Sequence, residues 1–313
     1  MKVIEHLEKA NNPLFSYEII PPKRGRNAQA ILDIVEQLVP YEPPFIDVTS
    51  HSAQAAYQES EDGTITRSVT TKRPGTMGIC TLIQHRYQID SVPHLLCRGF
   101  TKEESEDAVI EMNFLGINNV MAIRGDDTNF KKTKRQNSDY NTYASDLVKQ
   151  LDGLRNGKYL EPISNCDPID NCIGVCCYPE KHIEAANLKT DIQNFKFKVN
   201  AGADYAVTQM FYDNKKYFEF VEKCRLENIE IPIIPGIKIL SSAKQINSLP
   251  RNFNISLPEQ LVDDIQSNPK HAREIGLNWG IEQCRELLNN GVKCIHFYIL
   301  NDSNSVTKLI NNL

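Results

Sequence analysis

The sequence has no apolar run long enough to cross a membrane. Its longest one, residues 231–240, is interrupted by Pro232, Pro235 and Gly236, whereas a membrane-spanning helix needs about 20 consecutive apolar residues. The first residues are charged and contain no apolar core of a secretory signal. We therefore expect a cytoplasmic location and no membrane partner.

The chain also lacks an excess of basic charge and a framework of paired cysteines. Its 35 Lys and Arg residues stand against 40 Asp and Glu residues, for a formal net charge of −5 at pH 7, so nothing in the charge favours a nucleic-acid partner. None of the nine cysteines forms a C-x-x-C pair, the spacing typical of zinc and iron–sulfur sites. Reduced, mostly buried cysteines and no metal site are predicted.

Three common motifs are absent as well. The sequence contains no H-E-x-x-H, no G-x-x-x-x-G-K-[ST] and no G-x-G-x-x-G, which excludes the simplest zinc-protease, P-loop and dinucleotide-binding interpretations. What is present is ordinary globular composition, with 41% hydrophobic and 24% charged residues in 313. A chain of that length can bury a sizeable core.

Short apolar, β-branched runs alternate with longer amphipathic stretches along the chain. This pattern predicts strands at residues 14–20, 45–49, 92–97, 118–123, 172–177, 203–209, 231–237 and 293–299, and helices at 28–38, 102–115, 142–151, 183–201, 215–228 and 271–290. Strand–helix alternation is typical of α/β folds with a parallel sheet. About eight repeats favour a single (β/α)8 TIM barrel over residues 1–313, with a doubly wound open sheet as the alternative.

One polar segment, residues 128–141, interrupts this alternation. It carries a basic cluster at Lys131, Lys132, Lys134 and Arg135 and follows a predicted strand. A solvated surface loop is the simpler interpretation. The alternative is a mobile lid over a site at the C-terminal mouth of the barrel.

Polar residues fall at the C-terminal ends of the predicted strands, where barrel enzymes have their active sites. They are Glu18, Thr49, His94, Arg124, Asp126, Tyr178, Glu180, His182, Gln209 and Asn301. Glu18 lies among aromatic and aliphatic neighbours, so desolvation should raise its pKa towards that of a general acid. The alternative is a structural Glu18 paired with Lys23, Arg24 or Arg124. Asp126 would accept a hydrogen bond from a heterocycle, or it would cap the following loop.

Seven motifs occur together in a fixed order. They are FSYEIIPPK at 15–23, PHLLC at 93–97, AIRGD at 122–126, GVCCYPEKH at 174–182, TQMFYD at 208–213, IPGI at 234–237 and HFYILN at 296–301. In residues, order and spacing they resemble the signatures of methylenetetrahydrofolate reductases of the bacterial, catalytic-domain-only type.

The resemblance implies a single (β/α)8 barrel that binds FAD at its C-terminal mouth without a Rossmann motif. It also implies a ping-pong reaction, in which NADH or NADPH reduces FAD and 5,10-methylenetetrahydrofolate is then reduced to 5-methyltetrahydrofolate for methionine synthesis. NADH is favoured as the donor. A homo-oligomer is expected, with small-molecule substrates as the partners.

Site residues follow from the resemblance by position. Glu18 matches the general acid, and Asp126 matches an acidic residue near flavin and pterin; both are also expected to contact the substrate, as are Gln209 and Gln245. The expected FAD contacts are Thr49, Ser50, Ser52, His94, Arg124, Gly125, Asp126, Ala144, Tyr178, His182, Ala185, Asp191, Asn194 and Lys198. Among these, Arg124, His182 and Lys198 suit an anionic pyrophosphate or a ribityl chain.

Two other functions stay open. The first is a flavin-free aldolase or isomerase, which is disfavoured because no lysine ends a predicted strand as a Schiff-base candidate. The second is a non-catalytic folate- or flavin-binding subunit, motivated by the departures from the family pattern around Ser50 and Asp302. The other departures are His51, Ser52, Cys176 and Phe197.

Overall fold

Parallel strands form the centre of the molecule. The structure, a computed structural model, describes residues 1–23, 25–50, 54–71, 75–125, 139–300 and 302–313. Its strands are β1 (Leu14–Ile19), β2 (Phe45–Val48), β3 (Gln54–Glu59), β4 (Ile65–Thr71), β5 (Asp90–Leu96), β6 (Asn119–Ile123), β7 (Cys172–Cys177), β8 (Tyr205–Thr208), β9 (Ile233–Ile234), β10 (Gly236–Ile237) and β11 (Cys294–Leu300). β3 and β4 form a separate antiparallel hairpin, and the others pair in the order β10-β11-β1-β2-β5-β6-β7-β8-β9.

The sheet closes into a barrel through Pro235. β9 pairs with β8 on one side of this proline, and β10 pairs with β11 on the other. Proline has no N–H to extend the ladder, but its carbonyl accepts a 2.9 Å hydrogen bond from the His296 N–H. β9 and β10 therefore serve as one interrupted barrel strand. The predicted (β/α)8 barrel is confirmed, and the open-sheet alternative is wrong.

Helices surround the barrel. They are α1 (Val3–Lys9), α2 (Gln29–Leu38), α3 (Thr76–Tyr87), α4 (Lys102–Phe114), α5 (Ala144–Arg155), α6 (Leu188–Asn200), α7 (Asn214–Leu226), α8 (Gln245–Phe253), α9 (Glu259–Ser267), α10 (Ala272–Asn289) and α11 (Ser303–Ile310). The main apolar core lies between these helices and the strands. Within the described residues, no helix has both the length and the apolar character required to span a bilayer.

The alternation predicted most of these elements but missed several. The hairpin β3–β4 and the helices α1, α3, α8, α9 and α11 were not expected. α1 has only seven residues, and α8 contains Pro250, so neither presents a long uninterrupted period. The predicted helix 183–201 begins only at Leu188, because the Asn187 side chain caps it by accepting a 2.9 Å hydrogen bond from the Thr190 N–H.

The N-terminal helix lies against the N-terminal ends of the barrel strands. Val3 and Leu7 of α1 join the apolar cluster inside the barrel. The Val3 N–H donates to Asn119 Oδ1 of β6 at 2.8 Å, and His6 contacts Asp90 of β5 at 2.7 Å. Because α1 covers this end, the polar groups inside the barrel face the C-terminal mouth.

Gly236 is required by close packing within the barrel. A Cβ added there would lie 2.3 Å from the Thr208 carbonyl oxygen and 2.5 Å from Tyr298 Cε2. We expect Gly236→Ala to lower the free energy of unfolding by about 1–3 kcal/mol, because the strand or the tyrosine must move.

Urea denaturation measures this change, with Gly78→Ala as the matched control. Gly78 lies within α3, and an added Cβ meets nothing within 4 Å, so that substitution should stabilise the protein by about 1 kcal/mol. Equal midpoints for Gly236→Ala and the wild type would contradict the packing argument.

Candidate active site

Glu18 lies near the C-terminal end of β1, next to an irregularity in strand pairing. It is opposite Asp47 of β2 and Tyr298 of β11. The register between β1 and β11 shifts directly after Glu18, where Ile19 pairs with Leu300. Leu300 has φ +55°, a left-handed conformation that is uncommon for a bulky residue. Such bulges redirect side chains at barrel rims, and this one is adjacent to the candidate general acid.

Glu18 forms a buried cluster with His94 and Asp47. His94 Nε2 lies 3.2 Å from Asp47 Oδ2 and 3.8 Å from Glu18 Oε2, and the three side chains are 6%, 1% and 14% exposed respectively. Burial raises the pKa of Glu18 to about 7; His94 and Lys238 oppose this shift, and Asp47 adds to it. Burial alone would lower the pKa of His94, but the hydrogen bond to Asp47 and the two carboxylates raise it.

This geometry changes the expected surroundings of Glu18. Among the described residues, its ion-pair partner is His94 rather than Lys23 or Arg124, and Arg124 pairs instead with Glu184. Arg24, the third proposed partner, lies outside the described residues. The structural alternative was therefore wrong for Lys23 and Arg124 and stays untested for Arg24, while the predicted rise in the pKa of Glu18 agrees with the structure.

Two residues near Glu18 were missed in the sequence: Asp47, which belongs to the cluster, and Lys238. Asp47 is the third residue of β2, and only its pairing opposite Glu18 reveals a role. Lys238 directly follows β10. None of the described strands ends in a lysine, but Lys238 lies one residue beyond a strand end. The sequence signal for it was its position directly after the IPGI motif, which ends at Ile237.

A neutral histidine, His296, lies close enough to Asp47 and His94 to interact with them electrostatically. His296 of β11 is buried, and its Nδ1 lies 2.9 Å from Ser16 Oγ of β1, within hydrogen-bond distance. Burial lowers the pKa of His296 to about 4. The imidazole is therefore uncharged at neutral pH and leaves the charge balance to Glu18, Asp47, His94 and Lys238.

A cavity of about 480 Å³ opens at the ends of β6 and β7, between α5 and α6. It gathers eight of the residues that were predicted from the resemblance to contact FAD. They are Arg124, Ala144, Tyr178, His182, Ala185, Asp191, Asn194 and Lys198. Cys176 and Phe197, two of the departures from the family pattern, also line it.

The loop after β7 holds one wall of the cavity. Buried Asp191 accepts a 2.8 Å hydrogen bond from the His182 N–H, and the His182 ring meets the Tyr178 ring edge-on at 4.8 Å. Lys198 donates to the Cys176 carbonyl oxygen. Lys181, within the loop, has φ +102°, a strained backbone conformation of the kind found at binding sites.

The chemistry of the cavity fits an anionic, partly aromatic ligand such as FAD. Arg124 Nε is buried and has no hydrogen-bond partner within the described part of the chain. The other end of Arg124 pairs with Glu184, whose carboxylate also lies 3.9 Å from Arg98 Nη2. Burial lowers the pKa of His182, so its ring is a neutral hydrogen-bonding group. The guanidinium and the Lys198 ammonium supply the positive charge that a pyrophosphate requires.

The remaining predicted residues lie elsewhere or outside the described ranges. Thr49 and Ser50 follow β2, and the Thr49 N–H bonds the Ile19 carbonyl at 3.1 Å. Gly125 has φ +83°, which suits a residue without a side chain.

The two glutamines expected to contact the substrate make local hydrogen bonds instead of lining the cavity. Gln209 accepts a hydrogen bond from the Met210 N–H at 2.9 Å, and Gln245 accepts one from the Ser241 N–H at 2.6 Å. His51, Ser52, Asp126, residues 128–138 and Asn301 are outside the described residues.

No metal centre competes with these features: within the described ranges, no group of three or more His, Cys, Asp or Glu residues is arranged to hold an ion. The fold and site define a barrel protein with a buried acid–base cluster and, at the same mouth, a neighbouring cavity lined by Arg124 and Lys198. The model of the methylenetetrahydrofolate reductase family matches residues 2–313. The chain belongs to that family, and the predicted resemblance is confirmed.

Curated relatives match along nearly the whole chain. The 5,10-methylenetetrahydrofolate reductase of Buchnera aphidicola is 30% identical over 313 residues, covering 97% of this chain and 92% of its own. Methylenetetrahydrofolate reductase (NADH) 1 of Zea mays is 29% identical, covering 100% of this chain and 51% of its own. The chain thus spans about half the length of its plant and fungal relatives.

A solved structure shares the fold at low sequence identity. An uncharacterized Clostridium thermocellum protein that binds two copies of 5-methyl-5,6,7,8-tetrahydrofolic acid aligns with a TM-score of 0.57 and 13% identity, covering 99% of each chain. Identity at that level supports the shared architecture alone.

The raised pKa of Glu18 predicts a pH-dependent cost to stability. The folded carboxyl titrates near 7 and the unfolded one near 4.5, so the folded state binds more protons between these values, and stability falls as the pH rises through them. Relative to Glu18→Gln, the wild type should lose about 2 kcal/mol of unfolding free energy between about pH 5 and pH 8.

Urea denaturation of both proteins at the two pH values measures this difference. Glu161→Gln, which alters an exposed carboxylate, is the control and should show no pH-dependent gap from the wild type. A constant gap between wild type and Glu18→Gln would show that Glu18 titrates normally.

Proposed function

We propose that this protein reduces 5,10-methylenetetrahydrofolate to 5-methyltetrahydrofolate, with FAD as cofactor and NADH or NADPH as the electron donor. The observation that carries the proposal is the buried Glu18 carboxyl, whose pKa of about 7 suits a proton donor at neutral pH. It lies at the mouth that also holds the cavity, in a chain that belongs to the reductase family.

The cavity residues would hold FAD. Arg124 and Lys198 would neutralise the pyrophosphate, His182 would hydrogen bond to it or to the ribityl chain, and the small Ala144 and Ala185 leave room for the cofactor. FAD would supply hydride transfer, taking hydride from the nicotinamide and passing it to the folate substrate. The protein's own contribution is binding and orientation.

Glu18 would supply the proton that the folate needs. The five-membered ring of 5,10-methylenetetrahydrofolate must open to an iminium before it accepts hydride, and the departing nitrogen must be protonated. A carboxyl with a pKa near 7 keeps its proton in about half of the molecules at neutral pH, whereas an exposed glutamate is almost fully ionised. His94 and Asp47, 3.2 Å apart, would orient the carboxyl and receive or return protons between turnovers.

Other parts of the proposal rest on the resemblance. Asp126, Gln209 and Gln245 would contact the pterin or the nicotinamide, and Thr49, Ser50, Ser52, His94 and Gly125 would complete the flavin site. NADH is the favoured donor, a homo-oligomer is the expected state, and methionine synthesis is the expected use of the product.

An absorbance experiment tests the proposal with the full chain. The purified protein, supplied with FAD, should show bound-flavin bands that bleach under anaerobic NADH and return when methylenetetrahydrofolate is added. Bleaching by NADPH alone would reassign the donor. A protein that binds no FAD would contradict the proposal, and one that binds FAD without transferring electrons to folate would support the non-catalytic subunit.

Glu18→Gln should separate the two half-reactions. Because only folate reduction needs the proton, its rate should fall by about 100-fold or more, while NADH still bleaches the flavin. Stopped-flow absorbance measures each step, and Glu161→Gln is again the surface control. Normal folate reduction by Glu18→Gln would remove Glu18 from the role of general acid.

A further inference from the structure

Lys238 is placed by strand pairing in the same row as Glu18. It directly follows β10, whose residues Gly236 and Ile237 pair with His296 and Phe297 of β11. The next residue of β11 is Tyr298, which pairs with Glu18 of β1. Lys238 is therefore two strands from Glu18, about 10 Å between backbones, a distance that two long side chains reaching towards each other can bridge.

The ammonium group of Lys238 is directed back over β11. Its Nζ donates to the Tyr298 carbonyl oxygen at 3.3 Å, and the side chain is partly buried. Tyr298 is anchored by its own hydroxyl, which donates to the Thr208 carbonyl at 2.6 Å. This carbonyl contact brings the positive charge from the end of β10 towards the β1 side of the mouth.

Four charged or titratable groups from other elements also face this region. Asp47 lies on β2, His94 on β5, Cys176 on β7 and Tyr298 on β11, and all interact electrostatically with Glu18. The thiol and the phenol are neutral, because burial raises the pKa of Cys176 to about 12 and that of Tyr298 well above its ordinary value. Among the described residues, the charges around Glu18 are thus its own carboxyl group, that of Asp47, His94 and Lys238.

We propose that Lys238 is a positioning residue for the proposed folate reduction: its ammonium group, reaching over β11, stabilises the deprotonated form of Glu18 and lowers the upper pH limit for proton donation. In the strand order, His94 approaches Glu18 from the β2 side and Lys238 from the β11 side. This inference rests on the proposed function, because it assigns Lys238 a role through Glu18.

The direction of the effect follows from the charges. Lys238 lowers the pKa of Glu18, against the larger effect of burial. Burial in turn lowers the pKa of Lys238, while Glu18 and Asp302 raise it, and Asp302 is itself paired with Arg273 at 3.1 Å. Without the ammonium group, His94 is the cation that remains beside Glu18 and Asp47 in the described part of the chain, so Glu18 should retain its proton to higher pH.

Infrared difference spectroscopy of the full chain measures the titration of the Glu18 carboxyl group without turnover. The carbonyl band of the protonated Glu18 carboxyl is assigned by its loss in Glu18→Gln and titrated in wild type, Lys238→Met, Lys238→Gln and Lys238→Arg. Lys238→Met and Lys238→Gln should raise the midpoint by about one pH unit, the effect of losing a nearby opposite charge. Lys238→Arg should keep it near wild type. Lys215→Met, which removes an exposed lysine, should not move it.

Lys238→Gln separates charge from hydrogen bonding, because its amide can still donate to the Tyr298 carbonyl. A shift in Lys238→Met alone, or in neither variant, would overturn the inference. In a plot of rate against pH, the alkaline decline of folate-dependent flavin reoxidation should move by the same number of pH units. Loss of that reaction in Lys238→Arg, with an unchanged carboxyl titration, would also overturn it and indicate a Schiff-base amine instead. If the wild type shows the carboxyl titration but no folate reduction, the proposed function fails separately.

Discussion

A carboxyl group that is kept out of water must be neutralised by a proton or by nearby charge, and Glu18 imposes this requirement on the barrel mouth. Its pKa of about 7 reflects a balance in which burial outweighs His94 and Lys238, with Asp47 adding to burial. Four barrel strands bring these side chains together: β1, β2 and β5 carry the cluster, and β10 precedes Lys238. The strand irregularity after Glu18 lies at the same level of the barrel, where a small change in direction decides which groups the carboxyl meets.

The two ends of the barrel have different tasks. At the N-terminal end, α1 packs Val3 and Leu7 into the apolar interior. At the C-terminal end, the loops after β6 and β7 carry the cavity that Arg124 and Lys198 line, and left-handed backbone at Lys181 and Leu300 adds local strain at the rim. Strain of that kind persists where surrounding contacts hold it in place, and here the rest of the barrel supplies that support.

The cavity and the acid cluster are chemically distinct. Arg124 and Lys198 provide fixed positive charge, whereas burial keeps His182 neutral at neutral pH. Glu18, by contrast, changes its protonation state near neutral pH. The flavin-dependent reduction that we propose would need both properties, since the cofactor must be retained through many turnovers while a proton is given up once in each. In that proposal the cavity and the cluster have separate tasks.

The sequence by itself determined the architecture and the central acid. Strand–helix periodicity predicted the barrel, since each strand must bury one face against the interior and the other against a helix, and the apolar neighbours of Glu18 predicted its raised pKa. The family motifs also named eight residues that the fold gathers around one cavity. Only the tertiary structure decided what surrounds Glu18. Asp47 looks like an ordinary polar residue in a strand, and Lys238 follows a proline-interrupted one, so their importance depends on which strands become neighbours. That choice is made by closure of the barrel, which joins residues far apart in the chain, and local pattern carries no information about it.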